Sequence, residues 1–103
     1  MSVPQQQDIW WADTEDKRRP VLVITRSQAL PVLKRVVVAP VTRTVRGIPT
    51  EIALGRGEGL DSDCAASFDN LQTIMQASLT ERTGTLGSRR HEICETLRTL
   101  ADC

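Results

Sequence analysis

Residues 18–25 read Arg18-Arg19-Pro20-Val21-Leu22-Val23-Ile24-Thr25, and this stretch decides the fold. Four consecutive apolar residues, three of them β-branched, follow a proline directly. A run so short and so rich in Val and Ile predicts a strand buried on both faces. Pro20 lacks a backbone donor, so it is expected at the strand's first residue. It also pushes Arg19 out of the helical region into an extended conformation. Arg19 is thereby placed at the mouth of a rigid strand, where loop meets core. By itself that placement also fits a solvated arginine flanking a strand.

Working outward, the 103 residues are expected to form one domain, residues 1–103, with enough apolar content (40%) for a core. Cys64, Cys94 and Cys103 are an odd number without CxxC spacing, and His91 is the only histidine. That pattern suggests neither a zinc site nor a disulfide framework, so metal and cofactor are both expected to be none. Free thiols fit a reducing, cytoplasmic setting. Met1–Gln7 is polar and lacks the apolar segment of a signal peptide. No apolar run approaches the ~18 residues of a membrane span. Net charge is zero, yet residues 14–50 carry a balance of +6 and residues 51–103 a balance of −4. Such asymmetry suggests a basic face for a polyanion, unless the two parts interleave in space and average out.

Asp8–Asp13 predicts a first strand on which one of Trp10 and Trp11 faces the core and the other faces out. The outward one is placed to stack on a base or to join a dimer interface. After Pro31 the run Val32–Val41 predicts a central strand, with Pro40 at its end or at a bulge and Thr42 just past it. Arg43–Gly47 is a basic turn. Thr50–Leu54 alternates as a strand. Gly55–Asp61 has glycines at alternate positions but lacks the Lys-Ser/Thr of a phosphate loop, so it reads as a hairpin loop. Asp63–Ile74 reads as a strand opening at Asp69-Asn70, and Leu79–Leu86 as one more short strand or turn. Ser88 is a suitable N-cap for a helix whose Ile93, Leu97, Leu100 and Ala101 share one face. Together these elements predict a small, mostly antiparallel β-barrel or curled sheet with a C-terminal helix packed on it.

Four blocks carry a family resemblance: Asp8-Ile9-Trp10-Trp11, Arg19-Pro20-Val21-Leu22-Val23-Ile24, Val36-Val37-Val38-Ala39-Pro40-Val41-Thr42 and Asp69-Asn70-Leu71-Gln72-Thr73-Ile74. In this order the chain resembles the MazF/PemK toxins from about Gln7 to the end of the helix. The resemblance implies an SH3-like β-barrel (mostly β, CcdB/Kid-like) that works as a homodimer. It implies a metal-independent endoribonuclease of a type II toxin–antitoxin system, cutting single-stranded mRNA, rRNA or tRNA at short sequences. It also implies a cognate antitoxin whose disordered tail threads the RNA groove. By motif, the catalytic positions fall on Arg19, Thr42 and Asp69, the last in a less uniform role. Two features depart from the family pattern. The Thr14–Arg18 loop is short and carries neither glycine nor histidine, and Ser67 stands where some members have an arginine two residues before the acid.

The residue types fit that chemistry. RNA can be cut by attack of its own 2′-OH on the adjacent phosphorus, giving a 2′,3′-cyclic phosphate and a 5′-OH. Arg19 offers a planar fork for two phosphoryl oxygens, and Thr42 a further donor. Asp69 is placed either to accept the 2′-OH proton or to orient Arg19. His91 and Cys64 are of reactive type but have no motif partner. Lys17, Arg18, Arg43, Arg46 and Trp11 are the expected RNA contacts, with Lys34 and Arg35 as further cationic candidates. Two other functions fit the same fold: a CcdB-like gyrase poison, and a non-catalytic SH3-like binding module.

Overall fold

The computed structural model describes residues 3–14 and 17–100. Seven strands form one curled antiparallel sheet: β1 (Asp8–Asp13), β2 (Arg18–Val23), β3 (Arg35–Thr42), β4 (Glu51–Leu54), β5 (Cys64–Ser67), β6 (Gln72–Met75) and β7 (Leu79–Thr85). One helix, α1 (His91–Arg98), follows. The sheet order is β4-β5-β3-β2-β1-β7, with β6 added to β3. Among the described residues no helix is long and apolar enough to cross a membrane.

β2 lies between β1 and β3 and is covered on both faces. Leu22 joins one apolar cluster, with Ile9, Ala39, Ile52, Phe68 and Ile93. Val21 and Val23 join the other, with Trp10, Ala12, Leu30, Val36 and Val38. The side-chain period of two sends successive residues to opposite faces, so burial on both sides demands an unbroken apolar run. β1 obeys the same rule: Trp10 is buried, while Trp11 is half-buried. β2 begins at Arg18, so Pro20 is its third residue rather than its first. That is tolerated because at Pro20 only the β1 ladder is present, the pairing with β3 starting at Val21.

β3 has three partners: β6 along Arg35–Val38, β2 along Val38–Pro40 and β5 along Val41–Thr42. Pro40 thus lies inside the strand, not at its end. Its missing donor falls in the gap between the β6 and β5 ladders. A 3-10 turn at Phe68–Asn70, anchored by fully buried Phe68, fills the chain path between β5 and β6. The strand expected over Asp63–Ile74 is therefore two strands. Val32, Leu33 and Lys34 lie outside β3 and are exposed.

Ser88 is not an N-cap. It sits exposed in a 3-10 turn, Gly87–Arg89, that leads into α1, and Arg90 holds the cap position. The buried residues of α1 are Ile93 and Thr96, whose hydroxyl donates to the Glu92 carbonyl at 2.7 Å. Leu97 and Leu100 stay 36% and 37% exposed, which narrows the apolar face expected of them. Ala101 lies outside the described residues. Arg89 clips the helix to the sheet. Its Nε and Nη2 donate to the Glu92 carboxylate at 2.6 and 3.0 Å, and Nη2 donates to the Ala53 carbonyl at 2.8 Å. That bidentate contact holds the Glu92 carboxyl below its ordinary range.

The β4–β5 hairpin loop is pressed onto β7 by two glycines. Gly59 adopts φ 90 and its carbonyl accepts from Thr83 Oγ1 at 2.9 Å. A Cβ at Gly84 would overlap the Glu58 carbonyl, whereas one at Gly57 would meet open space. Glu58 itself accepts the Gly55 N–H at 2.8 Å and faces Arg89 at 3.4 Å. Gly84→Ala is therefore expected to cost ~1–3 kcal/mol through overpacking. That corresponds to a melting temperature lower by roughly 5–20 °C, while Gly57→Ala stays within a few degrees. Equal melting temperatures for the two variants in calorimetry would contradict this packing.

Candidate active site

The sequence places an arginine before a proline on a strand closed by a tight hairpin. Asp13 pairs with Arg18 in the β1–β2 register. Thr14 Oγ1 and N donate to the Lys17 carbonyl at 2.7 and 3.2 Å, tying the ends of the connection together. Glu15 and Asp16, in the loop where the chain departs from the family pattern, lie outside the described residues. Arg19, half-buried on β2, then projects where grooves converge.

One groove, of about 570 Å³, is lined by Trp11, Lys17, Arg18, Arg19, Thr42 and Arg43 among others. A second, of about 250 Å³, shares Arg19 and Thr42 and adds Arg46, Glu51, Asn70 and Gln72. A third, of about 410 Å³, shares Arg19 and runs past Asp13, Thr14 and β6. Arg19 is common to all three, and Thr42 to two. The backbone explains the meeting of these two residues. β2 and β3 are paired in the middle through Val21 and Pro40, so Arg19 and Thr42 lie at the same end of neighbouring strands.

The hydroxyl of Thr42 is already oriented. Its oxygen accepts the Thr44 N–H at 3.1 Å, which leaves its own proton available to donate. Among the described residues no carboxylate pairs with Arg19, whereas four other arginines hold acids: Arg18, Arg43, Arg82 and Arg89. Arg18 lies 4.9 Å over the Trp11 ring and reaches Glu81 at 3.4 Å and Asp13 at 3.9 Å. Arg43 faces Asp61 at 4.0 Å, both side chains more than 80% exposed (82% and 86%). Lys17 and Arg46 are exposed on the groove walls. The expected cluster of Arg19, Thr42, Lys17, Arg18, Arg43, Arg46 and Trp11 is thus gathered at one end of the sheet.

Asp69 is not brought to it. Its carboxylate accepts the Thr50 hydroxyl at 2.6 Å, and it lines none of the three grooves. The 3-10 turn Phe68–Asn70 turns Asn70 into the second groove instead. Glu51 is the carboxylate that sequence reading passed over. It shares that groove with Arg19 and Thr42, and its Oε1 accepts the N–H groups of Arg46 and Gly47 at 2.9 and 3.1 Å. The signal was present: on an alternating strand Glu51 faces away from Ile52 and Leu54, which are buried.

His91 and Cys64 are placed differently. A ring nitrogen of His91 lies 3.3 Å from the Ser88 carbonyl at the start of α1, away from these grooves. Cys64 borders the first groove, but burial pushes its thiol up, with Asp61 and Asp63 adding to the shift. Its Sγ contacts the Ser62 carbonyl at 3.3 Å. Cys103 lies outside the described residues. Lys34 and Arg35, at the other end of β3, line none of the grooves around Arg19. Among the described residues no three His, Cys, Asp or Glu side chains are grouped to hold a metal ion.

Comparison with known proteins gives a consistent result. The family described as "PemK-like, MazF-like toxin of type II toxin-antitoxin system" matches residues 5–101. A Mycobacterium tuberculosis protein named "Probable endoribonuclease MazF5" is 35% identical over 99% of this chain and 96% of its own length. The solved structure of the M. tuberculosis toxin MazF-mt6 superposes with a TM-score of 0.83 at 39% identity, over 89% of this chain and 93% of that one. A mycobacterial endoribonuclease solved "in complex with its cognate antitoxin" superposes at 0.80, with 23% identity over 93% of this chain and 92% of that one. On these matches the chain belongs to the PemK-like, MazF-like toxins of type II toxin–antitoxin systems.

Proposed function

We propose that this MazF-type toxin endoribonuclease cuts single-stranded RNA at short sequences, using the strand's own 2′-OH as nucleophile. The observation that carries this reading is the convergence of Arg19 and Thr42 on shared grooves ringed by Lys17, Arg18, Arg43 and Arg46. The 2′-oxygen bonds to the adjacent phosphorus, the bond from phosphorus to the 5′-oxygen breaks, and the 2′-proton leaves while the departing 5′-oxygen gains one. Negative charge grows on the two non-bridging oxygens. Arg19 receives both with its fork, and Thr42 donates its remaining proton to one. An arginine stays protonated, so another group must take the 2′-proton. Glu51 supports that role better than Asp69, because it shares the groove with Arg19 and Thr42 and keeps one carboxylate oxygen clear of backbone donors.

The proposed working form is a cytoplasmic homodimer, held in check by a cognate antitoxin as in the mycobacterial complex. Free Cys64 and Cys94 suit a reducing compartment. Leu33 and Met75 support a subunit contact. They stay 46% and 45% exposed next to edge strand β6, and Gln76 ties the two segments together through the Leu30 and Leu33 carbonyls. Light scattering is expected to give twice 11.4 kDa, and Leu33→Glu should lower that mass. A fully active wild-type monomer at assay concentration would remove the dimer from the mechanism.

Because nucleophile and charge stabilisation come from substrate and side chains, cleavage should persist in excess EDTA and leave 5′-OH and cyclic phosphate ends. Mapping the ends of a mixed-sequence RNA checks this and also separates the rivals. A gyrase poison or a binding module would leave the RNA intact, and 5′-phosphate ends would falsify in-line attack by the 2′-OH.

Arg19→Lys keeps the charge and loses the fork. If Arg19 stabilises the transition state, single-turnover cleavage should fall ~10²–10³-fold while affinity for an uncleavable 2′-deoxy analogue barely changes. Thr42→Ala should follow the same pattern more weakly. The double variant should lose less than the two effects combined, since both groups hold one phosphate. Glu51→Gln should lower single-turnover cleavage by about 10²-fold, and Asp69→Asn should leave it near the wild-type rate. Equal cleavage by wild type and Arg19→Lys would reduce Arg19 to a docking residue.

A further inference from the structure

A separate cavity of about 800 Å³ opens at the far ends of β1 and β2, and it shares no lining residue with the grooves around Arg19. The five-residue step from Asp13 back to Asp8 puts it roughly 17 Å from them. Three arginines, Arg26, Arg82 and Arg90, border it.

Two of these are preset. Arg82 Nε lies 3.3 Å from Asp8 Oδ1, on a carboxylate whose side chain is only 7% exposed. The other oxygen of Asp8 is occupied by the Gln5 N–H at 3.0 Å and by Trp10 Nε1 at 3.4 Å. Arg90 Nε donates to Gln6 Oε1 at 3.0 Å, and Gln6 is itself fixed, its side-chain amide donating to the Ile24 carbonyl at 2.8 Å. Each guanidinium is thus held through Nε, and neither makes a hydrogen bond through its Nη groups among the described residues. An Nη pair held in this way is a fork preset for oxyanions. Arg26 adds a third cation without an acidic partner among the described residues.

Beside them Gln7 Oε1 is buried and accepts no hydrogen bond among the described residues. An orphaned buried acceptor is costly and calls for a donor. The backbone holds Gln7 in place at φ 82, through Gln7 N–H to the Val23 carbonyl at 3.0 Å and Leu86 N–H to the Gln7 carbonyl at 3.0 Å. With three guanidinium groups and the polar side chains of Gln5, Ser27, Gln28 and Thr85 in its lining, the cavity fits a ligand that carries oxyanions beside hydroxyl or amine groups. RNA carries both, a phosphodiester with a 2′-hydroxyl or an exocyclic amine close by. An acidic protein segment fits less well. The lining contains no apolar side chain, and protein partners are ordinarily anchored by apolar or aromatic residues in pockets.

We propose that this cavity is a second RNA-binding site, which holds a phosphodiester of the substrate strand outside the cleavage groove. The inference rests on RNA being the substrate. It also makes affinity depend on the length of the strand.

The test uses the full-length protein and two uncleavable 2′-deoxy-blocked RNAs, one confined to the Arg19 grooves and one with long flanks. Cleavable versions of both serve as activity controls. Arg26→Glu and Arg90→Glu should each weaken the long RNA roughly 10-fold and lower its salt slope by about 1. Binding and cleavage of the short RNA should stay at wild-type values. Equal losses on both RNAs, or none on either, would overturn the second site. So would loss of antitoxin binding with RNA affinity intact, which would reassign the cavity to a protein. Inorganic phosphate that displaces long and short RNA equally would also count against a strand-held site. If the wild type cuts neither RNA, the activity assignment fails instead, and the two failures are thereby separated.

Discussion

Everything in this molecule depends on β2 being covered on both faces. A strand in that position has no solvent side, so it cannot alternate polar and apolar residues. It needs hydrogen-bonded neighbours on both edges along its buried part, which β1 and β3 supply. The burial ends at Pro20, where the second neighbour stops. The first residue beyond it, Arg19, is thus the first side chain that can be polar, and its backbone belongs to the most rigid element of the fold. The buried strand fixes the Arg19 backbone, and with it the point from which the side chain enters the grooves.

The parts of this design that were legible in the sequence are those written in a period of two. Asp8–Asp13 declares its alternation through Ile9, Trp10 and Ala12, and its strand occupies those same residues. Val21–Val23 declares double burial. Leu79–Leu86 has turn residues on both sides. What stayed illegible depends on partners far along the chain. Nothing local to Asp63–Ile74 says that β3 will take β5 and β6 end to end, and that division is what breaks the segment at Phe68. It also aims Asn70 at the groove and Asp69 at Thr50. Ser88 satisfies the local rule for a helix cap, but Arg89 has a stronger competing claim, three contacts to Ala53, Glu58 and Glu92, and these draw the preceding turn into a tighter 3-10 form. Leu97 fits a helical stripe, yet the helix is seated through Ile93 and Thr96, which leaves Leu97 partly outside.

The wall of the groove shared by Trp11, Arg19 and Thr42 shows how packing reaches the site without touching chemistry. Leu60, Asp61 and Ser62 belong to a hairpin loop that has little reason to be ordered by itself. It is ordered because Gly59 and Gly84 allow two backbones to touch, and because Glu58 joins the Gly55 N–H to Arg89. α1 is thereby linked through a single arginine to the edge of a groove that it never enters. A change in Arg89 would reach the groove as a loosened wall, not as a lost contact with the strand.

Net charge says nothing here, and the placement of charge says a great deal. The basic stretch of residues 14–50 averages out only in part in space: five of its cations (Lys17, Arg18, Arg19, Arg43 and Arg46) ring the grooves at one end of the sheet, with Asp13, Glu51 and Asp61 as the acids among them. The acids near them sit on exposed partners. Arg18 and Arg43 are 50% and 82% exposed, with Asp13, Glu81 and Asp61 at least as open. Exposed pairs of this kind contribute at most about 1 kcal/mol and weaken further with salt. A phosphodiester strand presents a dense line of charge and releases counterions as it binds, so it can displace such acids at little cost. The pair between Arg82 and Asp8 is different, because its carboxylate is buried and bonded on both oxygens. There the acid stays, and a phosphate must add to the arginine, not replace its partner. The same residue type therefore plays two parts. At one end of the sheet Arg18 and Arg43 hold exposed acids that a polyanion can displace; at the other, Arg82 keeps its buried acid and has only its Nη side free.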